Sequence, residues 1–529
     1  MTRGAAFVVQ HGLLTVGLSV GLASAALAAY HRPLARRLLH LFLFFILLEL
    51  FYRFAYGGPV SSGLLLSVPE TSKRETVELL AGHVILTCSL SLVALLAIYA
   101  MVGSWNTNIR LPVRRIIQMG IVSASMVAAS LAIGASGVDG PRRMAAVMLP
   151  EAEATFPLDV VNAFGAVAID FVDTRRRAAA RAVFEFRGVT LVDHESRRSA
   201  SEVYVVVIGE TSRRENWSLF GYTRATTPRL DAIRDSLVLF GHVSSNATNT
   251  ILSLPLALTR AAPATRGVAR SEKSIVTLFK QAGFATFWLS NQERSVLSNP
   301  IARIAAEADH VWFTGGGFDS ELVGELGEEM ARIPEGGKAV IFLHMEGSHF
   351  GYVARYPASF DHFRDGQGAP RQLPERQSRL VDEYDNTVYF TDHNVRAVID
   401  KLAQCHCRSG LVFFSDHGER LFDNGLTDND FGHGFPTISR QEIEIPFFVW
   451  MSSAYQEANP GRIEQLRANA GSVAQLHNLF ETLVDLAGVD YHDRASSLSL
   501  FSDKFRSPLE LDVLNMDQDT VAFDVAGPP

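Results

Sequence analysis

The chain has 529 residues, a net charge of −8 at pH 7 and a hydrophobic fraction of 47%, and it is long enough for two or three domains. The negative charge argues against a nucleic-acid-binding protein, because such proteins neutralise phosphates with an excess of lysine and arginine. Only three cysteines are present, which excludes a disulfide framework but leaves open a strained bridge between Cys405 and Cys407.

The hydrophobic residues are concentrated in the first ~137 residues, where long apolar segments follow one another. These segments cover residues 5–29, 38–56, 82–102 and 116–135. Each reaches or approaches the ~20 residues that an α-helix needs to cross a bilayer. We therefore predict an all-α transmembrane domain of about four helices over residues 1–137. The first segment is interpreted as a retained helix rather than a signal peptide, because the other spans follow it directly.

The loops between these segments indicate the orientation of the predicted transmembrane domain. The loop over residues 31–37 is basic, and so is the loop that carries Arg110, Arg114 and Arg115. Basic loops stay in the cytoplasm, so both ends of the helical bundle are expected to face outward. Everything after residue ~138 is then extracytoplasmic.

One pair of charges lies inside the predicted second span. Glu49 and Arg53 are four residues apart, near the outer end of this span. They either satisfy each other as an ion pair on one helix face or form a docking point for a zwitterionic lipid headgroup. We predict that both residues take part in substrate binding.

Residues 138–200 are predicted to form an interfacial helical linker. An amphipathic stretch over residues 156–172 is followed by a basic cluster at residues 175–177 and Arg181. This pattern is typical of a helix that lies on a membrane surface. The basic cluster is equally compatible with a solvated helix face.

From residue 201 onward, strand-like apolar runs alternate with helix-like segments such as residues 271–282 and 384–403. This alternation predicts an α/β domain with a mostly parallel central sheet over residues 201–529, ending in an irregular or β-edge tail. Polar side chains directly follow five apolar runs, at residues 203–208, 237–243, 284–289, 339–343 and 411–414. Ligands of such sheets bind in the crevice at the carboxyl ends of the strands. The five polar junctions are therefore expected to meet in one crevice.

Three of these polar residues suggest a metal site. Glu210 follows the first apolar run, and Asp416 and His417 follow the last. Two carboxylates and an imidazole suit Zn²⁺ or Mn²⁺. Taken alone, an Asp-His pair is more often structural, but the shared position at strand ends favours a site.

A hydroxyl could complete this ligand set. Thr248 lies in a polar segment, residues 246–250, that precedes apolar residues, so it is expected at a helix N-terminus. Phosphoryl oxygens bind well at helix N-termini, and a metal-bound hydroxyl becomes a nucleophile near neutral pH. The alternative is that Thr248 is an ordinary N-cap.

At these residues the chain resembles the membrane-bound phosphoethanolamine transferases of Gram-negative bacteria, which include lipid A modifiers and the colistin-resistance enzymes. The motifs shared with this family follow its order along the soluble domain. They are GET at 209–211, GYTRATTP at 221–228, NATNTILSLP at 246–255, WLSNQ at 288–292, GSH at 347–349, YDNTVYFTD at 384–392, SDHGE at 415–419 and HG at 433–434. The combination of GYTRATTP with SDHGE is the most specific part of the match.

The resemblance implies an alkaline-phosphatase/sulfatase-like catalytic domain in the periplasm, anchored in the inner membrane. It also implies zinc ligands, a nucleophile and substrate-binding residues. The implied ligands are Glu210, Thr248, Asp416 and His417; Thr248 would carry the phosphoethanolamine, His349 and His433 would bind substrate phosphate or a second zinc, and Asn291 is assigned to substrate binding. The implied donor is phosphatidylethanolamine, and the acceptor is lipid A, the lipopolysaccharide core or a periplasmic glycan.

The chain also departs from the family pattern. The relatives have five spans and several disulfides, and some have a histidine near the apolar run 445–450, where this chain has Glu442 and Glu444. These differences leave the acceptor open. The alternatives are a phosphoglycerol transferase, against which GYTRATTP argues, and a catalytically inactive membrane scaffold or sensor, against which the retained ligand candidates argue. A sulfatase activity is disfavoured, because the Cys/Ser-x-Pro-x-Arg pattern needed for formylglycine does not occur at Thr248.

Overall fold

The computed structural model describes residues 65, 114, 117–125, 158–192, 201–292, 299–423, 430–435, 437–516 and 518–524. The chain divides into two compact units, Met1–Phe171 and Val172–Pro529. The first three predicted spans, residues 5–29, 38–56 and 82–102, lie outside the described residues, as do Glu49 and Arg53. The described part of the fourth span, residues 117–125, is helical. Across the described ranges, no helix combines the length and the apolar character that a membrane crossing requires.

Helices and strands alternate along the second unit, as predicted. The helices are α1 (Leu158–Ala182), α2 (Pro228–Asp231), α3 (Thr250–Ala257), α4 (Val268–Ser271), α5 (Ile275–Gln281), α6 (Pro300–Ala305), α7 (Ser320–Arg332), α8 (Glu375–Gln404), α9 (Arg440–Ile443), α10 (Ser453–Ala458), α11 (Pro460–Asn469) and α12 (Leu479–Leu486). The strands are β1 (Thr190–Leu191), β2 (Glu202–Gly209), β3 (Leu237–Phe240), β4 (His242–Ser244), β5 (Ala285–Ser290), β6 (His310–Phe313), β7 (Lys338–His344), β8 (Arg408–Ser415), β9 (Arg420–Leu421), β10 (Phe431–Gly432), β11 (Phe447–Met451), β12 (Val473–Gln475), β13 (Val489–Asp490), β14 (Glu510–Leu514) and β15 (Thr520–Asp524).

The centre of the domain is a seven-stranded sheet with the strand order β3-β11-β8-β2-β7-β5-β6. The strands from β8 to β6 are parallel, whereas β11 runs antiparallel to both of its neighbours. The register pairs Gly209 with Ser415 and both Ile208 and Ser290 with His344. The carboxyl ends of β2, β5, β7 and β8 therefore share one edge. This confirms the mostly parallel sheet and the common crevice for four of the five apolar runs.

The fifth apolar run, residues 237–243, forms two strands rather than the expected single one. It divides at Gly241 into β3, which pairs with β11 at the edge of the large sheet, and β4, which pairs with β12. Glycine has no side chain to pack and weakens the interior of a strand. The polar segment that follows β4 still leads to the start of α3.

Two predicted helices differ from the structure in their bounds. The segment 271–282 is divided between α4 and α5, because Ser274 caps α5 and its Oγ accepts a hydrogen bond from the N–H of Val276 at 3.2 Å. The helix expected over residues 384–403 is confirmed, but it begins earlier, at Glu375. Proline precedes this first residue, and its fixed φ suits the entry to a helix.

The side chains of β2 alternate between two hydrophobic layers. The odd-numbered residues from Val203 to Val207 pack on the side of α7 and α8, and the even-numbered residues from Tyr204 to Ile208 pack on the side of α3, α5 and α12. All eight residues of β2 are buried. Each fully buried valine contributes roughly 1.5–3 kcal/mol, so a shift of register would be costly. β2 therefore holds the residue that follows it, Glu210, in a fixed position.

The GYTRATTP segment is anchored to α8 by a buried ionic network. The guanidinium of Arg224 lies 2.8 Å from Asp385 and 2.7 Å from Asp382. Asp385 also accepts hydrogen bonds from the amide of Asn216 at 2.6 Å and the hydroxyl of Tyr222 at 3.0 Å. A buried carboxylate needs such partners. Tyr222 and Arg224 of this motif therefore hold the segment against α8.

The predicted interfacial helix is present as α1. In its second half, Asp173 pairs with Arg177 at 2.9 Å and with Arg270 at 3.0 Å, and Arg181 pairs with Glu307. The basic cluster is therefore only in part a solvated face, because Arg181 anchors the helix end to the α/β domain. The location of this helix on a membrane surface stays a prediction.

Two further features agree with the sequence analysis: the pairing of two cysteines and the β structure near the end of the chain. Cys405 and Cys407, immediately after α8, form a disulfide, the pairing that their spacing left open. β14 and β15 form an antiparallel hairpin within the predicted β tail. The N–H of Leu514 in β14 donates to the carbonyl of Asn246 at 2.9 Å, so the hairpin packs against the segment that leads to α3.

One histidine near α12 makes the stability depend on pH. Burial lowers the pKa of His477 to about 4, and its Nδ1 has no hydrogen-bond partner among the described residues. The unfolded chain takes up a proton near pH 6.5 and the folded chain does not, so stability is lost as the pH falls from 6.5 to about 4. We expect His477→Asn to lessen this fall in the thermal unfolding midpoint, and the exposed control His242→Asn to leave it unchanged. Scanning fluorimetry across this range checks both; an identical fall in His477→Asn would contradict the assignment.

Candidate active site

Three of the four predicted metal ligands meet at the carboxyl edge of the sheet. Glu210 follows β2, and Asp416 and His417 follow β8, the neighbouring strand. All three side chains are buried, and one ligand atom of each lies within 4.8 Å of the others. The parallel register of β2 and β8 produces this meeting, because it aligns Gly209 with Ser415.

The hydrogen bonds of the three groups leave atoms available for an ion. The Nδ1 of His417 lies 2.9 Å from the carbonyl of Gly418, to which it can donate, so Nε2 faces Glu210 at 3.3 Å and Asp416 at 3.5 Å. The Oδ1 of Asp416 accepts from the N–H groups of Thr211 at 3.0 Å and His417 at 2.8 Å. Its Oδ2 is buried and accepts no hydrogen bond from the described residues. A buried carboxylate oxygen without a donor fits a cation ligand.

The pKa values of the three groups reflect an excess of negative charge. Burial, followed by the charge of Glu210, raises the pKa of Asp416 to about 7. Burial alone would raise the pKa of Glu210, but the hydrogen bond and charge of His417 outweigh it and lower this pKa. Burial alone would lower the pKa of His417, but the two nearby carboxylates outweigh it and raise this pKa to about 10. A divalent cation held by these groups would satisfy the same excess of charge.

A threonine hydroxyl joins these groups, and it belongs to Thr250. Its Oγ1 lies 3.0 and 3.2 Å from the two carboxylate oxygens of Glu210, and 3.3 Å from Nε2 of His417. Thr250 is the first residue of α3, so its hydroxyl stands at the positive end of the helix dipole. A hydroxyl in this position can serve as a ligand and as a nucleophile toward a phosphoryl group.

Thr248, the predicted ligand and nucleophile, makes none of these contacts. Its N–H donates to the carbonyl of Leu514 at 3.3 Å. Its hydroxyl is buried and has no hydrogen-bond partner among the described residues. The structure therefore brings Thr250 rather than Thr248 to the three groups, and we take Thr250 as the candidate nucleophile, two residues further along the chain.

The two threonines differ in where they stand relative to the start of α3. Asn249 is the N-cap, and its Oδ1 accepts a hydrogen bond from the N–H of Leu252 at 3.1 Å. Asparagine is among the most favoured N-cap residues and is preferred over threonine at this position. Between Thr248 and Asn249, that preference favours Asn249 as the N-cap and hence Thr250 as the first helical residue.

Thr211, which the sequence analysis did not assign, positions both carboxylates. Its N–H donates to Asp416, and its hydroxyl donates to Glu210 at 2.7 Å. Its carbonyl accepts a hydrogen bond from the hydroxyl of Tyr384 at 2.9 Å. Thr211 has a φ of 56°, which is uncommon for a β-branched residue and is found where surrounding contacts compensate the strain.

Both predicted substrate-binding histidines lie beside this cluster. The ring of His433 is 4.3 Å from that of His417 and 6.3 Å from that of His349, between centroids. The Nδ1 of His433 lies 3.0 Å from Glu419, a buried residue of the SDHGE motif whose role the sequence analysis did not assign. The structure thus brings together the two histidines and three of the four predicted metal ligands.

Asn291 has a different environment from the one expected of a substrate-binding residue. Its amide donates to Asp319 at 2.8 Å and to the carbonyl of Gly317 at 3.2 Å, and its carbonyl oxygen accepts from the hydroxyl of Thr314. Its side chain is therefore engaged within the protein. In the structure Asn291 supports Asp319, and its predicted part in substrate binding stays a prediction.

The geometry and the chemistry of this site suit the transfer of a phosphoryl or sulfuryl group, because the charged groups can hold a metal ion next to a nucleophilic hydroxyl. Comparison with known families agrees with this class. The family model described as Sulfatase matches residues 202–489, more than half of the chain, and the chain belongs to this family.

Individual relatives confirm the resemblance drawn from the motifs. The chain is 28% identical to the putative transferase YhbX of Escherichia coli K12, over 75% of this chain and 69% of YhbX. It is 30% identical to phosphoethanolamine transferase EptC of that strain, over 57% of this chain and 53% of EptC. It is also 30% identical to the strain's Kdo(2)-lipid A phosphoethanolamine 7''-transferase, over 57% and 52% of the two chains. The chain spans about half the length of these two phosphoethanolamine transferases.

Solved structures confirm the predicted α/β fold. The C-terminal periplasmic domain of EptC from Escherichia coli, crystallised in complex with Zn, has a TM-score of 0.58 and 25% identity, covering 64% of this chain and 95% of that one. The integral membrane protein lipooligosaccharide phosphoethanolamine transferase A from Neisseria meningitidis has a TM-score of 0.72 and 21% identity, covering 89% and 87%. At its lower identity, the second likeness concerns the fold alone.

Proposed function

We propose that this chain is a zinc-dependent enzyme that transfers phosphoethanolamine from phosphatidylethanolamine to an acceptor in the bacterial envelope. The observation that carries this proposal is the hydroxyl of Thr250, which lies within 3.3 Å of both Glu210 and His417 at the start of α3. Support also comes from the two relatives named as phosphoethanolamine transferases.

The proposed reaction has two half-reactions that share Thr250. In the first, Thr250 Oγ1 forms a bond to the phosphorus of the donor, and the bond from phosphorus to the oxygen of diacylglycerol breaks. The proton of Thr250 is released through Glu210, to which its hydroxyl already donates, and the departing oxygen of diacylglycerol takes up a proton. In the second half-reaction, a hydroxyl or phosphate of the acceptor displaces Thr250 from phosphorus and Thr250 regains its proton.

The residues of the site fit zinc as the cofactor. Glu210, Asp416, His417 and Thr250 would hold the ion, and the unsatisfied Oδ2 of Asp416 is the atom that most requires one. Zinc bound there would lower the pKa of the threonine hydroxyl and offset the negative charge that the two carboxylates present to a phosphate. A zinc complex of the related EptC domain supports this choice over manganese.

We assign His349 and His433 to the binding of substrate phosphate. Their rings lie on the side of the cluster formed by His417, and each can donate a hydrogen bond to a phosphoryl oxygen. Lipid A is the favoured acceptor, because a relative is named for phosphoethanolamine transfer to Kdo(2)-lipid A. The lipopolysaccharide core and a periplasmic glycan are the other acceptors to be tested.

We place the catalytic domain in the periplasm. Along the chain it follows an inner-membrane domain over residues 1–137 and a linker over residues 138–200. The related EptC domain is a periplasmic one, which supports this location. A donor in the outer leaflet of the inner membrane would then be on the same side as the site.

A single-turnover experiment tests the proposed function. Full-length protein in detergent, given phosphatidylethanolamine without an acceptor, should release about one diacylglycerol per active site and then slow, because the threonine ester has nowhere to transfer. Mass spectrometry should find phosphoethanolamine on the peptide that contains Thr250. Phosphatidylglycerol is the matched control donor and should give neither result.

Other outcomes of this experiment discriminate between the alternatives. A burst and an adduct with phosphatidylglycerol alone would identify a phosphoglycerol transferase. Neither with any donor would favour a catalytically inactive scaffold. Normal transfer without an adduct would exclude the covalent intermediate and require direct transfer between donor and acceptor.

A further inference from the structure

The loop that carries His349 is bound tightly to the backbone of a metal-ligand candidate. This loop, residues 346–350, follows β7 at the active edge of the sheet. The N–H of Ser348 donates to the carbonyl of Glu210 at 2.9 Å. Gly347 has a φ of 52°, and a Cβ at its position would lie 2.8 Å from both the backbone nitrogen and the backbone oxygen of Glu210. The position of the loop and that of Glu210 are therefore linked.

A buried carboxylate holds the beginning of this loop. Asp319 precedes α7, but it makes no side-chain capping hydrogen bond to that helix. Its Oδ1 instead accepts from the N–H of Glu346 at 2.9 Å, and its Oδ2 accepts from the N–H of Gly347 at 3.0 Å. The amide of Asn291 donates to the same carboxylate at 2.8 Å and fixes its orientation. Asp319 is 3% exposed, so water does not replace these bonds readily.

A buried guanidinium holds the other end of the loop. Arg355 donates from Nε to the carbonyl of His349 at 3.2 Å and from Nη2 to the carbonyl of Phe350 at 2.5 Å. It also forms an ion pair with the carboxylate of Glu346. The side chain of Arg355 is fully buried. Opposite charges thus bind the N–H groups at one end of the loop and the carbonyl groups at the other.

We propose that Asp319 and Arg355 are positioning residues that hold His349 in place for phosphoryl transfer. The hydrogen bonds described above join both side chains to the backbone of this loop, so both act on His349 through the loop that lies between them. Charge-assisted hydrogen bonds are the strong class, and two buried charges of opposite sign fix a short loop more firmly than neutral groups would. This inference rests on the proposed function for the role of His349.

A double-mutant cycle tests the inference. Asp319→Asn keeps the size of the side chain but turns an amide N–H toward a backbone N–H, so the loop should shift and the kcat for transfer should fall by up to about 10²-fold, the cost of a misplacement near 1 Å. The KM for the donor should change less than kcat. In a His349→Ala background, Asp319→Asn should have little further effect, because the residue that it positions is already missing. Equal losses in both backgrounds would overturn the inference.

Asp392 provides a matched control for Asp319. It is also a buried carboxylate, and it accepts from the N–H groups of two successive residues, Arg229 at 3.1 Å and Leu230 at 2.8 Å. It ties α8 to α2 rather than the loop to the site. Asp392→Asn should lower the thermal stability but leave kcat close to the wild-type value. A loss of kcat as large as that of Asp319→Asn would show a general effect of damaged folding and overturn the proposal.

A second variant and a second readout separate this inference from the proposed function. Arg355→Lys keeps the charge but loses the planar fork, and it should reproduce the coupling to His349 if Asp319→Asn fails to fold. Hydrogen–deuterium exchange in the full-length protein should become faster at Ser348 and His349 in either variant. Unchanged exchange there would overturn the positioning role, whether or not the wild-type protein transfers phosphoethanolamine. Absence of transfer by the wild-type protein would overturn the proposed function alone.

Discussion

Thr250→Ala should abolish phosphoethanolamine transfer, with kcat reduced by about 10³-fold or more, as expected when a nucleophile is removed. The hydroxyl of Thr250 lies next to Glu210 and His417 at 3.0–3.3 Å, and its replacement removes the atom proposed to bond to phosphorus. The burst of diacylglycerol and the phosphoethanolamine adduct should both disappear. Thr250→Ser retains a hydroxyl on a smaller side chain and should retain measurable turnover.

Thr248→Ala is the matched control, because it removes the same atoms only two residues away. The hydroxyl of Thr248 is buried without a hydrogen-bond partner among the described residues, so its loss should affect stability modestly and leave the burst intact. Quantitative assay of diacylglycerol with each variant, at matched zinc content, provides the comparison. If the adduct is lost in Thr248→Ala and kept in Thr250→Ala, the assignment of the nucleophile to Thr250 is wrong and the assignment predicted from the sequence, Thr248, is right.

The position of the site followed from the sequence because it depends on few local features. A buried parallel strand has an unmistakable apolar pattern, and its carboxyl end is defined by the first polar residue after it. Glu210, Asp416 and His417 each stand at such an end, and the register of β2 with β8 brings them together. The alternation of strands and helices was likewise sufficient to predict the α/β class.

The details that the sequence did not reveal depend on single residues and on distant contacts. The choice between Thr248 and Thr250 turns on which residue caps α3, a difference that shifts every later side chain around the helix. The role of Asn291 depends on Asp319 and Thr314, which are more than 20 residues away in the chain. No local pattern marks Asp319 and Arg355, because the loop that they hold is recognised only when β7 and α7 are placed beside each other.

Asp416→Ala should remove most of the metal from the purified protein. Asp416 is buried, and its Oδ2 accepts no hydrogen bond from the described residues, so it is the carboxylate whose place in the fold is best explained by an ion. Loss of a group that only orients a metal ligand weakens metal binding by about 10–100-fold, and loss of a ligand should cost at least as much. Zinc should therefore be measured directly, by elemental analysis and by competition with a chelator of known affinity.

The control for this measurement is Asp423→Ala. Asp423 is also a largely buried carboxylate, but it pairs with Arg213 at 2.7 Å and with Arg371 at 3.1 Å rather than with the candidate metal ligands. Its loss should lower the unfolding midpoint, because the buried charge of Arg213 loses the shorter of its two ion pairs, while zinc content stays at the wild-type level. Full zinc occupancy in Asp416→Ala would contradict the proposed ligand set, since three remaining groups would then be sufficient to hold the ion. Equal zinc loss in both variants would show that metal content reports only on the integrity of the fold.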